Sequence, residues 1–446
     1  MAKNKVIFEC EACGNKQSKW MGKCPECGSW DSFIELNKEQ IKFIESQNKF
    51  NKKPSLAQEI CDIEVENISR ISTDDKELDL VLGGGVVKGS LILIGGSPGI
   101  GKSTLLLKIA SNLAKKRLNV LYVSGEESLS QIKIRANRLD SVTQNLYLLA
   151  EISLENIKSE LLKKDYQILI IDSIQTLFSD KISSAPGSIS QVREITFELM
   201  RIAKERDICV FIIGHITKEG SIAGPRILEH MVDVVLYFEG DASKELRILR
   251  GFKNRFGSTS EVGIFEMSAK GLISTKDIAS KFFTRGKAIS GSAITVVMEG
   301  TRPLIVEIQA LVCESSYPKR SSTGYDKNRL DMIIALLDRK MEILLGHYDV
   351  FVNVTGGVKI SETAADLAVV AAIVSSFRNR PLSKESIFLG EVSLNGEIRE
   401  ISNLDLRAKE ALMQNFQTII APSKPLETKG IKTFVAKEIK QILEWM

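Results

Sequence analysis

Residues 91–105 read Leu-Ile-Leu-Ile-Gly-Gly-Ser-Pro-Gly-Ile-Gly-Lys-Ser-Thr-Leu. Four aliphatic residues run into a glycine-rich turn, and a helical pattern follows from Leu105 to Leu113. Within this stretch, Gly96-Ser97-Pro98-Gly99-Ile100-Gly101-Lys102-Ser103 fits the phosphate-loop pattern G-x-x-x-x-G-K-S/T in the strand, loop and helix context that the pattern requires. Glycines let backbone N–H groups wrap phosphate oxygens, and the helix N-terminus adds positive potential. Lys102 is expected to bridge the β and γ oxygens of ATP, Ser103 to ligate Mg²⁺, and Gly96 to Thr104 to form the nucleotide contact.

Working outward, apolar runs at Val120–Val123, Ile168–Ile171, Cys209–Ile213 and Val234–Phe238 alternate with amphipathic stretches. That alternation predicts crossover connections and a mostly parallel sheet, an α/β domain over residues 55–275. Asp172, closing the Ile168–Ile171 run, is the expected carboxylate of the Mg²⁺ shell. Glu126 and Glu127 close the Val120–Val123 run at the sheet edge where α/β folds place ligands. One of them should polarise the attacking water; Glu126 is favoured and Glu127 is its rival. His215, closing another strand, reads equally as a γ-phosphate sensor or as a structural histidine.

Before this domain, Cys10-x-x-Cys13 and Cys24-x-x-Cys27 form two knuckles, each followed by glycine (Gly14, Gly28). Four thiolates at this spacing suit one tetrahedral Zn²⁺ with a closed, structural coordination shell. An iron–sulfur site or a redox dithiol pair are the alternatives. The knuckle (residues 1–35) would display Lys16, Lys19, Trp20 and Lys23 to nucleic acid or a partner protein, or leave them as a solvated face. A polar, Lys- and Asn-rich linker (36–54) follows it. Beyond residue 287, strands at Ala293–Glu299 and Pro303–Leu311 and helical patterns at Arg329–Leu345 and Ala364–Ser376 predict a separate α+β domain (287–446).

The 446 residues suit about three domains. With 60 Lys+Arg against 56 Asp+Glu, the net charge of +4 excludes a field covering the whole molecule, so any nucleic-acid surface must be local. Hydrophobic residues at 43% exclude a disordered chain. The apolar runs are too short to span a membrane and the N-terminus lacks a signal-peptide core, so the expected location is cytoplasmic.

The double knuckle, the run Arg70-Ile-Ser-Thr with Glu77-Leu78-Asp79 and Leu82-Gly83-Gly84-Gly85, the phosphate loop, and Lys253-Asn254-Arg255-Phe256-Gly257 together resemble the RadA (Sms) family of bacterial DNA-repair proteins. The resemblance runs the whole chain. It implies a RecA-like, DNA-dependent ATPase that forms homo-hexameric rings on single-stranded and branched DNA and drives branch migration of recombination intermediates, with recombinase or replication proteins as candidate partners. Lys253 and Arg255 would then form a finger reaching a neighbouring subunit's γ-phosphate, the alternative being a basic turn on DNA phosphates. DNA contacts are expected from Ser183–Arg193 and Lys218–Arg226.

The C-terminal domain resembles the Lon protease fold, whose chemistry needs a Ser–Lys dyad. Here Ala364 stands at the serine position and Asp405 or its neighbour at the lysine position, so no proteolysis is expected, and Ser361 lies one helical turn away. The domain is expected to serve as an oligomerisation scaffold and a DNA-tracking surface using Lys319, Arg320, Lys327, Arg329, Arg378 and Arg380. Three functional readings compete: a DNA-dependent motor, an ATP-dependent protease, and a nucleotide-gated adaptor.

Overall fold

The computed structural model describes residues 8–10, 16–17, 19–25, 28, 30, 33–35, 69–215, 227–239, 246–268, 271–274, 282–283, 286–428 and 430–445. The chain forms two compact units, 1–67 and 68–446. In the first, β1 (Phe8–Cys10) pairs antiparallel with β2 (Lys16–Gln17) and with β3 (Phe33–Glu35). Cys24 and Phe33 are its buried centre. Gly28 donates its N–H to the Cys24 carbonyl at 2.9 Å with φ of 74°, a turn that a side chain would strain.

The second unit opens with β4 (Arg70–Ile71), α1 (Lys76–Leu82) and β5 (Val86–Val87). There follow β6 (Leu91–Gly96), α2 (Lys102–Lys115), β7 (Val120–Ser124), α3 (Leu129–Arg138), β8 (Leu146–Ala150), α4 (Leu154–Leu161) and β9 (Ile168–Asp172). Next come α5 (Ile189–Arg206), β10 (Cys209–His215), α6 (Ile227–Met231), β11 (Val234–Glu239), β12 (Leu246–Asn254), β13 (Val262–Ser268) and β14 (Gly271–Ser274). They build a nine-stranded sheet in the order β14-β13-β12-β11-β6-β10-β9-β7-β8. From β11 to β8 every pairing is parallel, while β12, β13 and β14 add antiparallel strands at one edge.

Side chains alternate across this sheet as strand geometry requires. Ile92, Ile94, Val120, Tyr122, Ile168 and Ile170 pack on the face that carries α2, whereas Leu93, Leu121, Val123, Leu169 and Ile171 pack with Val192, Ile195 and Leu199 of α5. Both faces are covered, which is why the runs read as continuously apolar.

The C-terminal part contributes β15 (Ser292–Glu299), β16 (Arg302–Glu314), β17 (Arg320–Thr323), α7 (Lys327–Lys340), β18 (Tyr348–Val354), α8 (Asp366–Arg378), β19 (Ser386–Phe388), β20 (Glu391–Val392), β21 (Ile398–Arg399), α9 (Leu404–Met413), β22 (Thr418–Ala421) and β23 (Lys432–Val435). Its seven-stranded mixed sheet runs β17-β18-β16-β15-β19-β22-β23. The helical pattern expected over Arg329–Leu345 stops earlier, at Lys340, because Glu342 turns the chain at φ of 58° and Asp338 accepts the Leu345 N–H at 2.7 Å.

The tip of the β15–β16 hairpin docks on the nine-stranded part of the same unit. Glu77 on α1 accepts from Arg302 at 2.6 Å and from the Ile264 N–H at 2.8 Å. Thr301 donates its N–H to the Ser260 carbonyl at 3.1 Å and its hydroxyl to Glu261 at 2.7 Å. Because Glu77→Ala leaves a buried N–H and a guanidinium without their acceptor, urea unfolding should show a loss of about 2–3 kcal/mol. Glu77→Gln, which keeps an acceptor, should lose less than half of that.

Candidate nucleotide site and its surroundings

The phosphate loop leaves the carboxyl end of β6, the central strand. Gly95 sits against Tyr237, where an added Cβ would lie 2.3 Å from the ring, so the strand must end in glycine. Gly101 begins α2 with φ of 115° and lies under Leu272, whose Cδ1 an added Cβ would meet at 2.8 Å. At Gly99 nothing lies within 4 Å of such a Cβ, so the crest of the loop is open. No side chain caps the α2 N-terminus. Lys102, only 4% exposed, folds its ammonium onto the carbonyls of Gly96 (2.7 Å) and Ser97 (3.0 Å). Burial lowers its pKa to about 8, and the carboxylates of Asp172 and Glu126 oppose that shift. An open crest, free helix N–H groups and an ammonium held on loop carbonyls fit a triphosphate. Ser103, in the first turn of α2, and Asp172, at the end of β9, are hard oxygen donors that fit Mg²⁺.

The two acidic candidates separate cleanly. Gly125 donates its N–H to the Asp172 carbonyl at 3.0 Å and passes so close to Thr176 that a Cβ would fall 2.1 Å from its hydroxyl. That close approach brings Glu126 against β9, where Ser173 donates to its carboxylate at 2.9 Å. Glu127 turns the other way into an ion pair with Arg135 of α3. His215 is paired in register with Gly96, at the same edge of the sheet; its side chain lies outside the described residues.

The Lys253–Gly257 run closes β12 and the turn after it, and its residues do different things. Lys253 donates to the carbonyls of Glu229 (2.7 Å) and His230 (3.2 Å) near the end of α6. Burial lowers its pKa, and Arg255 adds to that. Asn254 donates to the Val81 carbonyl of α1 at 3.2 Å, and Arg70 donates to the Phe256 carbonyl at 2.5 Å. Arg255 points outward, its side chain 58% exposed and 3.6 Å from buried Asp233. The ammonium of Lys253 thus braces the turn, and the exposed cation is Arg255.

Arg255 lies at the edge of the sheet opposite the phosphate loop. Asn254 pairs with Val234, Val234 pairs with Ile92, and the Arg255 N–H reaches the Asp233 carbonyl at 3.1 Å. From Leu91 to Gly96 the parallel strand climbs about 16 Å before the loop even begins. An arginine side chain does not span that distance, so Arg255 cannot serve the loop of its own chain.

Of the expected DNA-contact segments, Ser183–Arg193 is a loop only as far as Ser188, which caps α5; Ile189–Arg193 is already helix. Residues 218–226 lie outside the described set, as do Cys13, Cys27 and the side chain of Cys10. Arg329 does not face a ligand, because it pairs with Asp366, a fully buried carboxylate that also accepts from Tyr325 at 2.5 Å. Lys319, Lys327, Arg378 and Arg380 remain exposed.

At the Lon-like positions, Ala364 is buried and Ser361 is exposed. Asp405 points away to accept the Glu427 N–H at 2.7 Å. The buried group there is Arg407, which grips both oxygens of Glu362 at 2.7 and 2.6 Å and the Val296 carbonyl at 2.6 Å. Neither this pair nor Tyr122, which donates to Asp172 at 2.5 Å, stood out in the sequence, since each depends on a partner dozens of residues away.

Three family models match the chain: one described as AAA domain over residues 58–221, one as Rubredoxin metal binding domain over residues 8–35, and one as Subunit ChlI of Mg-chelatase over residues 327–425. The architecture is accordingly an N-terminal zinc ribbon, a RecA-like phosphate-loop domain with a mostly parallel sheet, and a Lon-like C-terminal domain. Among curated proteins, the chain is 73% identical to DNA repair protein RadA of Campylobacter jejuni, over the whole of both chains. It is 58% identical to DNA repair protein RadA of Helicobacter pylori strain J99, again over both whole chains, and 47% identical to that of Bacillus subtilis strain 168 over 99% of each.

Arg407→Ala should leave the Val296 carbonyl without this donor and Glu362 without its cation, with only the Met298 N–H at 2.8 Å still on the carboxylate. Breaking such a buried pair costs about 3–5 kcal/mol, which chemical unfolding followed by tryptophan fluorescence would register. Asp405→Ala, at a half-buried position whose carboxylate accepts only backbone N–H groups at the domain surface, should cost about 1 kcal/mol or less by the same measurement.

Proposed function

Given that the chain belongs to the RadA family of DNA repair proteins, we propose that this DNA repair ATPase is a DNA-dependent ATP hydrolase that works as a ring of identical subunits, a homo-hexamer, on single-stranded and branched DNA, where it migrates recombination intermediates. The observation that carries the reading is the separation of Arg255 from its own phosphate loop across the sheet. A site complete in loop, lysine and carboxylates but lacking a cation from across the sheet invites a second copy to supply it.

In this reading Gly96, Ser97, Pro98, Gly99, Ile100 and Gly101 cradle the phosphates, with Thr104 in the first turn of α2 behind them. Lys102 leaves its loop carbonyls for the β and γ oxygens. Ser103 and Asp172 hold Mg²⁺, which when bound neutralises charge developing on the transferred phosphoryl group. Glu126, fixed by Ser173, orients water in line with the γ-phosphate, and Arg255 of one subunit completes its neighbour's site. Lys253 keeps the turn bearing Arg255 in place. Cys10, Cys13, Cys24 and Cys27 hold a structural Zn²⁺. The ribbon exposes Trp20 and Trp30, with the Lys23 ammonium 5.4 Å from the Trp30 ring, a surface suited to nucleic acid or to a recombinase or replication partner.

The units are proposed at residues 1–35, 55–275 and 287–446, with 36–54 as linker. Among the described residues no helix is long and apolar enough to cross a membrane, and a cytoplasmic site of action follows from the DNA substrate. Proteolysis has no support, because the positions of the Lon dyad carry Ala364 and Asp405.

ATP hydrolysis by the purified full chain should rise severalfold on adding single-stranded DNA, and a flat response would remove DNA dependence from this reading. Lys102→Ala should abolish turnover. Glu126→Gln should lower kcat at least about a hundredfold with nucleotide binding retained, while Glu127→Gln stays near wild type. Arg255→Ala should bind ATP yet lose hydrolysis, and mixing it with Lys102→Ala subunits should restore part of the rate at interfaces that combine the intact halves. Failure of that mixture to recover any activity would argue against a finger acting between subunits.

A further inference from the structure

Tyr122 is a phenol where the fold asks only for an apolar side chain. It stands in the middle of β7, 1% exposed, on the sheet face that carries α2, among Ile94, Val120 and Ile170. Phenylalanine would fill the same space without bringing a hydroxyl into the core. A buried O–H persists where it has a partner, and here the partner is the carboxylate assigned to Mg²⁺. The register makes this possible: Tyr122 lies opposite Ile170 and Ser124 opposite Asp172, so Tyr122 and Asp172 are diagonal neighbours on adjacent strands with side chains on the same face. The phenol donates to Asp172 Oδ2 at 2.5 Å.

We propose that Tyr122 is a positioning residue for the metal: its hydrogen bond fixes the Asp172 carboxylate so that the oxygen needed by Mg²⁺ faces the site. The inference rests on the nucleotide-hydrolysis reading. Its chemistry follows from counting donors. A phenol has one proton and gives it to Asp172. Asp172, with Oδ2 taken by the phenol, presents Oδ1 outward. Arg135, the other charged group facing the phenol, is engaged with Glu127.

The test is a Mg²⁺ titration of fluorescent ADP binding to the full chain, with EDTA as the metal-free limit. Groups that orient metal ligands commonly change metal affinity by about 10–100-fold. Tyr122→Phe is therefore expected to raise the Mg²⁺ half-saturation point about tenfold, with nucleotide affinity in EDTA and the melting temperature close to wild type. A Mg²⁺ curve that superimposes on wild type overturns the proposal. In an Asp172→Asn background, adding Tyr122→Phe should change the Mg²⁺ curve far less, whereas a full and additive effect would show that the phenol acts elsewhere. Should the Phe variant melt early, trifluorotyrosine at position 122 keeps the shape and alters the donor; an unshifted half-saturation point in that protein also overturns the proposal. Wild-type protein that binds Mg²⁺ and ADP but hydrolyses no ATP would sink the proposed function while leaving the Tyr122 result readable.

Discussion

Everything in the second unit is referred to one strand that can move in no direction. β6 is buried on both faces and paired in parallel on both edges, with β10 and with β11, and it ends in two glycines because Tyr237 and Phe238 close over its last residues. A parallel strand so enclosed has a polarity that the whole sheet must share. Its carboxyl end delivers the phosphate loop, along with Glu126, Asp172 and His215 from the neighbouring strands. Its amino end is pinned by Asp233, which accepts the Leu91 N–H at 3.1 Å and Lys204 at 3.0 Å. The same Asp233 stands beside Arg255. One strand thus sets two chemically different edges, one that receives phosphate and one that presents a cation, and the distance between them is fixed by backbone geometry.

The turn that carries Arg255 is held from two sides. Within the sheet it is fastened by Asp233, by Lys253 on the carbonyls near the end of α6, and by Arg70 on Phe256. From the other side the β15–β16 hairpin reaches it, with Thr301 on Ser260 and Glu261, Arg302 on Glu77, and Glu299 on Arg250 at 2.7 Å. Arg250 lies on β12, five residues before Arg255. The C-terminal sheet is therefore in mechanical contact with the strand that ends in the exposed arginine. Displacement of that hairpin would act on β12, and so on the turn that carries Arg255, through the Glu299–Arg250 ion pair.

How much of this could be read from residue order depends on the range of the interaction. The phosphate loop, the five apolar strands and the doubled knuckle are local: each is a spacing within about twenty residues, and strand periodicity supplies the sheet. Glu126 could be favoured over Glu127 from the sequence, but their different surroundings rest on Gly125 passing Thr176 and on Arg135 in the last turn of α3, neither of which a spacing reveals. The basic run at Lys253–Gly257 was legible as a unit and not in its parts, because the carbonyls that engage Lys253 belong to α6. Arg329 read as a surface cation because its partner Asp366 is 37 residues away.

The Lon-like domain carries this lesson furthest. Aligned positions say only that a serine and a lysine are missing, which describes a loss. The folded arrangement describes a replacement: Glu362 stands two residues before Ala364, Arg407 two residues after Asp405, and the two meet through both carboxylate oxygens beneath the Val296 carbonyl. A catalytic lysine must be able to give up its proton, and a guanidinium in a bidentate carboxylate grip cannot. The same elements that bring a nucleophile and a base together in a protease here bring together a permanent cation and its counter-ion, so the geometry that once suited proton transfer now suits cohesion. An ion pair of this kind resists being pulled apart, and resistance suits a domain whose hairpin is fastened through Glu299 to Arg250 of β12.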